Sequence, residues 1–216
     1  MRVLLVAPPG AGKGTQGALI ATHFRIPHIA TGDLLRDHVA RRTGLGRAVE
    51  DHLGRGELVP DQIVLDMVRA AFIEAKAHGG GYVLDGMPRN MAQARALYEI
   101  GLSLEMTANV ALHLKADDEE LTRRLLARAA LEGRSDDTEE VIRRRLAIYH
   151  EVTYPIVEWY ASRGILVSVD AVRPVERVAR QILTALEAMR PLVDLVPEHA
   201  RRSVDLTGLG AAFGRS

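Results

Sequence analysis

The chain has 216 residues, a formal net charge of zero (28 Lys and Arg against 28 Asp and Glu), 47% hydrophobic residues and no cysteine. Balanced charge gives no global field to draw in nucleic acid or an anionic membrane, and the missing thiols exclude a disulfide framework and any Cys-ligated zinc or iron–sulfur centre. This composition suits a globular protein that buries its own core, and a cytoplasmic setting is expected.

The first apolar run, residues 3–6, follows Arg2 in the manner of a secretory leader, but it stops at Pro8-Pro9-Gly10, too soon for the apolar part of one. It reads as a buried strand. Short β-branched runs at 82–84, 110–114 and 165–169 read as further strands. Between them, amphipathic segments at 15–24, 63–77, 91–102, 119–130, 139–160 and 175–189 read as helices. No run approaches the roughly 20 apolar residues of a membrane span. Alternating strands and helices predict an α/β fold, a parallel sheet flanked by helices in three layers. Such sheets bind ligands at the carboxyl ends of their strands, so the loops after Val6, Leu84 and Leu114 are the places to look. Residues 1–189 are expected to form the domain. The segment 190–216, punctuated by Pro191, Pro197, Gly208, Gly210 and Gly214, reads as a C-terminal tail without an assigned role.

The loop after the first strand is Ala7-Pro8-Pro9-Gly10-Ala11-Gly12-Lys13-Gly14-Thr15. Strand, glycine-rich turn and helix N-terminus in that order make a phosphate cradle: backbone N–H groups turn inward and the helix dipole favours an anion. Lys13 is one of only three lysines, with Lys76 and Lys115, and it falls where a P-loop lysine reaches the β- and γ-phosphates. Thr15 could offer its hydroxyl to magnesium. The strict pattern is missed twice, by Ala7 in place of its first glycine and by Gly14 between Lys13 and Thr15.

Further motifs follow in order: Thr31-Gly32-Asp33-Leu34-Leu35-Arg36, Gly56-Glu57-Leu58-Val59-Pro60-Asp61, Asp85-Gly86-Met87-Pro88-Arg89 with Gln93-Ala94, and Gly133-Arg134-Ser135-Asp136-Asp137-Thr138 with Arg145-Leu146 and Tyr149. Together with the glycine-rich loop, they resemble the adenylate kinase family of nucleoside monophosphate kinases over roughly residues 1–185. The resemblance implies a P-loop NTPase fold with a helical acceptor-binding insert at about 31–60 and a short lid at about 128–138. It implies transfer of the ATP γ-phosphoryl group to AMP, with magnesium carried in by ATP. No zinc, nucleic-acid or membrane partner is expected, and a monomer is.

The site residues that it implies are these. Lys13, Arg89, Arg128, Arg134 and Arg145 would be catalytic; Gly10, Ala11, Gly12, Lys13, Gly14, Thr15, Arg124, Arg128 and Arg173 would bind ATP. Thr31, Arg36, Glu57, Leu58, Val59, Gly86, Arg89, Gln93, Arg134 and Arg145 would bind AMP. Asp85 would hold the magnesium through water, with Asp33 a second candidate. Arginine suits this work because its planar fork bonds phosphate oxygens in pairs and stays charged.

Four positions depart from the family pattern: Ala7, Met87 for the usual aromatic, Ala30 for the usual serine, and Asn90. Asn90 after Pro88-Arg89 resembles UMP/CMP kinases, where the asparagine helps to read a pyrimidine, and is a base-specificity candidate. Thr31 sides with adenylate kinases. AMP is the favoured acceptor, and the pyrimidine alternative stays open. A nucleotide-binding sensor or scaffold with weak catalysis is the alternative of another class.

Overall fold

In the computed structural model, which describes residues 1–55, 57–132, 138–195 and 204–205, six strands form one sheet. They are β1 (Arg2–Val6), β2 (His28–Ala30), β3 (Tyr82–Asp85), β4 (Val110–Lys115), β5 (Leu166–Asp170) and β6 (Val204–Asp205), in the order β2-β3-β1-β4-β5-β6. Every pairing is parallel. The helices are α1 (Lys13–Phe24), α2 (Thr31–Ala40), α3 (Gly44–Gly54), α4 (Asp61–Ala77), α5 (Met91–Leu104), α6 (Asp118–Glu132), α7 (Glu139–Ile148), α8 (Pro155–Ser162) and α9 (Val175–Leu195).

The strand period of two divides the side chains of β1 between two cores. Leu4 and Val6 join a core with Leu35 of α2, Val49 of α3, Val68 of α4, Leu97 of α5 and Ile156 of α8. Val3 and Leu5 join the other, with Ile20 of α1, Leu121 of α6, Ile142 of α7 and Ile182 of α9. Helices therefore cover both faces, giving the expected three layers. From β1 the chain moves out to β2 and β3 on one side, then crosses to β4 and β5 on the other. The carboxyl end of β1 sits where the strand order reverses, the usual ligand crevice of such sheets.

Three features differ from the sequence reading. Strand β2 has only three residues and no alternation long enough to register. The single helix expected over 139–160 is broken: α7 ends at Ile148, a π-helical turn spans Tyr149–Thr153, and α8 begins at Pro155. Proline lacks an N–H and its ring crowds the carbonyl four residues back, so the ladder widens before it. Third, α9 continues past 189 to Leu195, and Val204–Asp205 pairs with Val167 and Ser168 of β5, so part of the segment 190–216 adds to the sheet. Among the described residues no helix is long and apolar enough to cross a membrane.

Candidate active site

The turn between β1 and α1 is shaped by its glycines. Gly10 and Gly12 have φ of 83° and 88°, in the left-handed region, and a Cβ on Gly10 would stand 3.0 Å from both the Leu121 carbonyl oxygen and Leu125 Cγ. Lys13 is the first residue of α1, and no acidic residue sits in that helix's first turn to occupy its N–H groups. The Lys13 ammonium donates to the carbonyl oxygens of Ala7 and Pro8, both at 2.9 Å. Loss of hydration pushes its pKa down to about 8; Asp85 opposes the shift, while Arg89 and Arg128 add to it. Ala7 is not among the described residues with positive φ, so its methyl costs the loop little.

This loop forms one wall of a cleft of about 550 Å³ at the carboxyl ends of the strands. Six cationic side chains line it (Lys13, Arg36, Arg89, Arg124, Arg128 and Arg145) against three carboxylates, those of Asp33, Glu57 and Asp85. Such an excess of positive charge in a concave wall focuses field on an anion. Gly10, Gly12, Gly14, Thr15, Leu58 and Gly86 also border it.

Arg89 is held at three points. Its Nε donates to the Gly86 carbonyl and its backbone N–H to Gln93 Oε1, both at 2.7 Å, while its own carbonyl accepts from Thr153 Oγ1 at 2.7 Å. Its pKa is lowered, chiefly by desolvation; Asp85 counteracts, and Arg145 and Arg36 push further down. Arg36 pairs with Asp33 at 2.6 Å across one turn of α2, so Asp33 is an ion-pair partner rather than that helix's cap. Asp85, the last residue of β3, is 9% exposed, with Oδ2 at 3.9 Å from His28 Nε2.

Several of the expected residues stand elsewhere. Thr31 is buried, its hydroxyl donating to the Asp85 carbonyl at 3.1 Å, and Val59 and Ala11 are buried in the two cores. Gln93 is buried as well, its amide N–H donating to Asp61 at 2.6 Å. Asn90 caps α5: its side-chain oxygen accepts from Gln93 N at 2.7 Å, and its amide N–H group meets both Asp61 oxygens at 3.1 and 3.2 Å. Neither amide lines the cleft. Arg124 borders the cleft, yet its guanidinium is engaged by Glu120 at 2.6 Å and by the Ala171 and Val172 carbonyls at 2.9 and 3.2 Å. Arg173 pairs with Asp170 at 3.2 Å and is absent from the lining. Arg134 lies outside the described residues.

Thr153, which lines the cleft and holds the Arg89 carbonyl, escaped the sequence reading. Its signal was Pro155, whose ring breaks the helical period and turns Thr153 inward. Asp61, gathering Asn90 and Gln93, and Arg144, which bonds Glu57 at 2.8 Å, were likewise not singled out.

Residues 5–165 match the family model for adenylate kinase. The chain is 47% identical to the adenylate kinase of Thermobifida fusca (strain YX) over 188 residues, 87% of this chain and 99% of that protein. It is 46% identical to that of Synechococcus sp. (strain RCC307) over 185 residues, 86% of this chain and 98% of that one. With that of Streptomyces coelicolor the identity is 36% over 215 residues, 87% and 99% of the two chains. A strand-to-helix phosphate loop, arginines gathered around it and likeness along nearly the whole length of these relatives lead to one conclusion: the chain belongs to the adenylate kinase family.

Proposed function

We propose that this chain is a nucleoside monophosphate kinase that moves the γ-phosphoryl group of ATP reversibly onto AMP, giving two ADP. The observation that carries the reading is a cleft lined together by the P-loop with Lys13 and by Arg36, Arg89 and Arg145. The acceptor phosphate is already an anionic nucleophile, so little base catalysis is needed. An oxygen of AMP attacks the γ-phosphorus, the bond from that phosphorus to the bridging oxygen of ATP breaks, and the new diphosphate forms in line.

The protein's work is positioning and neutralising the charge spread over the transferring group. Lys13 would leave the Ala7 and Pro8 carbonyls for the β- and γ-phosphates, and the free N–H groups of the α1 terminus would hold the same oxygens. Arg36 and Arg89 would clamp the acceptor phosphate, Arg128 would face ATP, and Arg134 and Arg145 would span the two nucleotides. Magnesium arriving with ATP supplies further charge neutralisation. One buried carboxylate, Asp85, and the Thr15 hydroxyl on the same cleft are a donor set of hard oxygens that suits an ion keeping most of its waters.

AMP is favoured over a pyrimidine acceptor because both ends of the Asn90 amide are committed, one to capping α5 and one to Asp61. Full catalysis is favoured over mere binding because the departures are accommodated: Ala7 keeps an ordinary backbone, and Met87 fills the core beside α2 to α5. A cytoplasmic monomer fits this reading.

The test is ADP production from magnesium–ATP with AMP, CMP, UMP and GMP in parallel. We expect AMP to be preferred and Lys13→Ala to lower turnover by roughly a hundredfold or more, as for loss of a preorganised charge at a reacting group. Preference for CMP or UMP would hand specificity to Asn90. Nucleotide binding with no turnover on any acceptor would make the chain a sensor on a kinase fold.

A further inference from the structure

An ion pair joins parts of the chain 87 residues apart beside the cleft: Arg144 Nη2 to Glu57 Oε1, at 2.8 Å. Glu57 lies in the short connection between α3 and α4, where the segment carrying α2 and α3 returns to the sheet layer. Arg144 is on α7, and its neighbour Arg145 lines the cleft. The second Glu57 oxygen faces Arg55 Nε at 3.5 Å and His52 Nδ1 at 3.6 Å, both from the same segment as Glu57. Among the described residues, Arg144 is a partner that comes from outside that segment.

Two physical arguments give this pair a purpose. Glu57 lines a cleft in which cations outnumber carboxylates, and an uncompensated carboxylate there would repel the acceptor. Arg144 cancels that charge. In addition, consecutive helical residues point about 100° apart around the axis, so a grip on Arg144 from the insert also sets the roll of α7 that directs Arg145 to the cleft. We propose that Arg144 is a positioning residue: its bond to Glu57 straps the acceptor insert to α7 and sets the affinity for the acceptor nucleotide. This inference rests on the phosphotransfer reading above and gives Glu57 to the strap rather than to direct contact with AMP.

The test is steady-state kinetics of the full chain, with AMP varied at saturating magnesium–ATP and the converse. Variants are Arg144→Ala, Glu57→Ala, the double variant and the exchanged pair Arg144→Glu with Glu57→Arg. The pair is partly exposed, with side chains 52% and 28% accessible. Loss of the strap is therefore expected to raise KM for AMP by about two- to fivefold in each single variant, the range of a partly screened pair, and to leave KM for ATP in place. The rise should be larger in Arg144→Ala, because it also leaves the Glu57 carboxylate uncompensated. The double variant should be no worse than either single one, and the exchanged pair should regain most of the loss. Raising the salt should erode the advantage of the native chain and not that of the single variants.

Additive single effects, or kcat and both KM values worsening together, would overturn the strap. If Arg144→Ala does not fold, Arg144→Gln and the salt titration of the native chain give the same reading. A native chain that makes no ADP from AMP would instead sink the phosphotransfer reading, and the two failures are told apart by that control.

Discussion

At the scale of single residues, Lys13 shows how a site is held ready. Its ammonium rests on two carbonyls of its own loop, a partly dehydrated position that costs the charged form, so its pKa falls to about 8. Bound phosphates would favour the charged form and restore it. Above pH 8 the free protein must therefore take up a proton to bind ATP, and the affinity should fall by up to about tenfold per pH unit. Calorimetry in buffers of different ionisation enthalpy, between pH 7 and 9.5, measures that uptake; a flat profile would show that Lys13 is already charged in the free protein. For stability the sign is opposite. The folded pKa lies below the unfolded value of 10.5, so this group makes the free protein more stable as pH rises from about 8 towards 10.5.

Much at this scale was legible beforehand: Lys13, Arg36, Arg89, Arg128, Arg145 and Asp85 all line the cleft. What could not be read is how a polar side chain divides its bonds. Asn90 reads as a base-specificity candidate and Gln93 as an AMP contact, yet both amides turn to Asp61, 29 and 32 residues away in sequence.

At the scale of elements, caps and breaks decide where helices start. Ala30 is the N-cap of α2, with extended φ and ψ of −97° and 95°, and has no side-chain oxygen for the first-turn N–H groups. By contrast, Thr43 caps α3, Asn90 caps α5 and Thr138 caps α7. Ala30→Ser should therefore stabilise the fold by about 0.5–2 kcal/mol, the usual worth of a serine cap. A urea titration with an unchanged slope would show it as a higher midpoint; an unmoved midpoint would mean that water already serves those groups. The π-helical turn at Tyr149–Thr153 is the other decisive element. A regular helix through 139–160 would rotate Thr153 away from Arg89, whereas the wider turn brings its hydroxyl to 2.7 Å of the Arg89 carbonyl. Pro155 announced that break, but its consequence depends on where Arg89 stands, and Arg89 arrives from another loop.

For the whole molecule, the reversal of strand order beside β1 gathers the loops after β1 and β3 with α6 and α7 around one cavity of about 550 Å³. On the phosphotransfer proposal, donor and acceptor would share that one space. A mimic that links two adenosines through phosphates should bind one to one and compete with both ATP and AMP. At a hundredfold excess over its dissociation constant it should raise stability by about 2.7 kcal/mol, readable as a higher melting temperature. Competition with ATP alone would mean that the acceptor end is closed.

By itself the sequence determined the α/β class and the glycine-rich turn between strand and helix, because strand period, glycine spacing and local order are properties of neighbouring residues. Only the tertiary structure decided that Glu57 is met by Arg144, that Thr153 holds Arg89 and that Asp61 claims the two amides. Each of those contacts joins segments brought together by the sheet, and their bonds depend on distances and angles that no local pattern records.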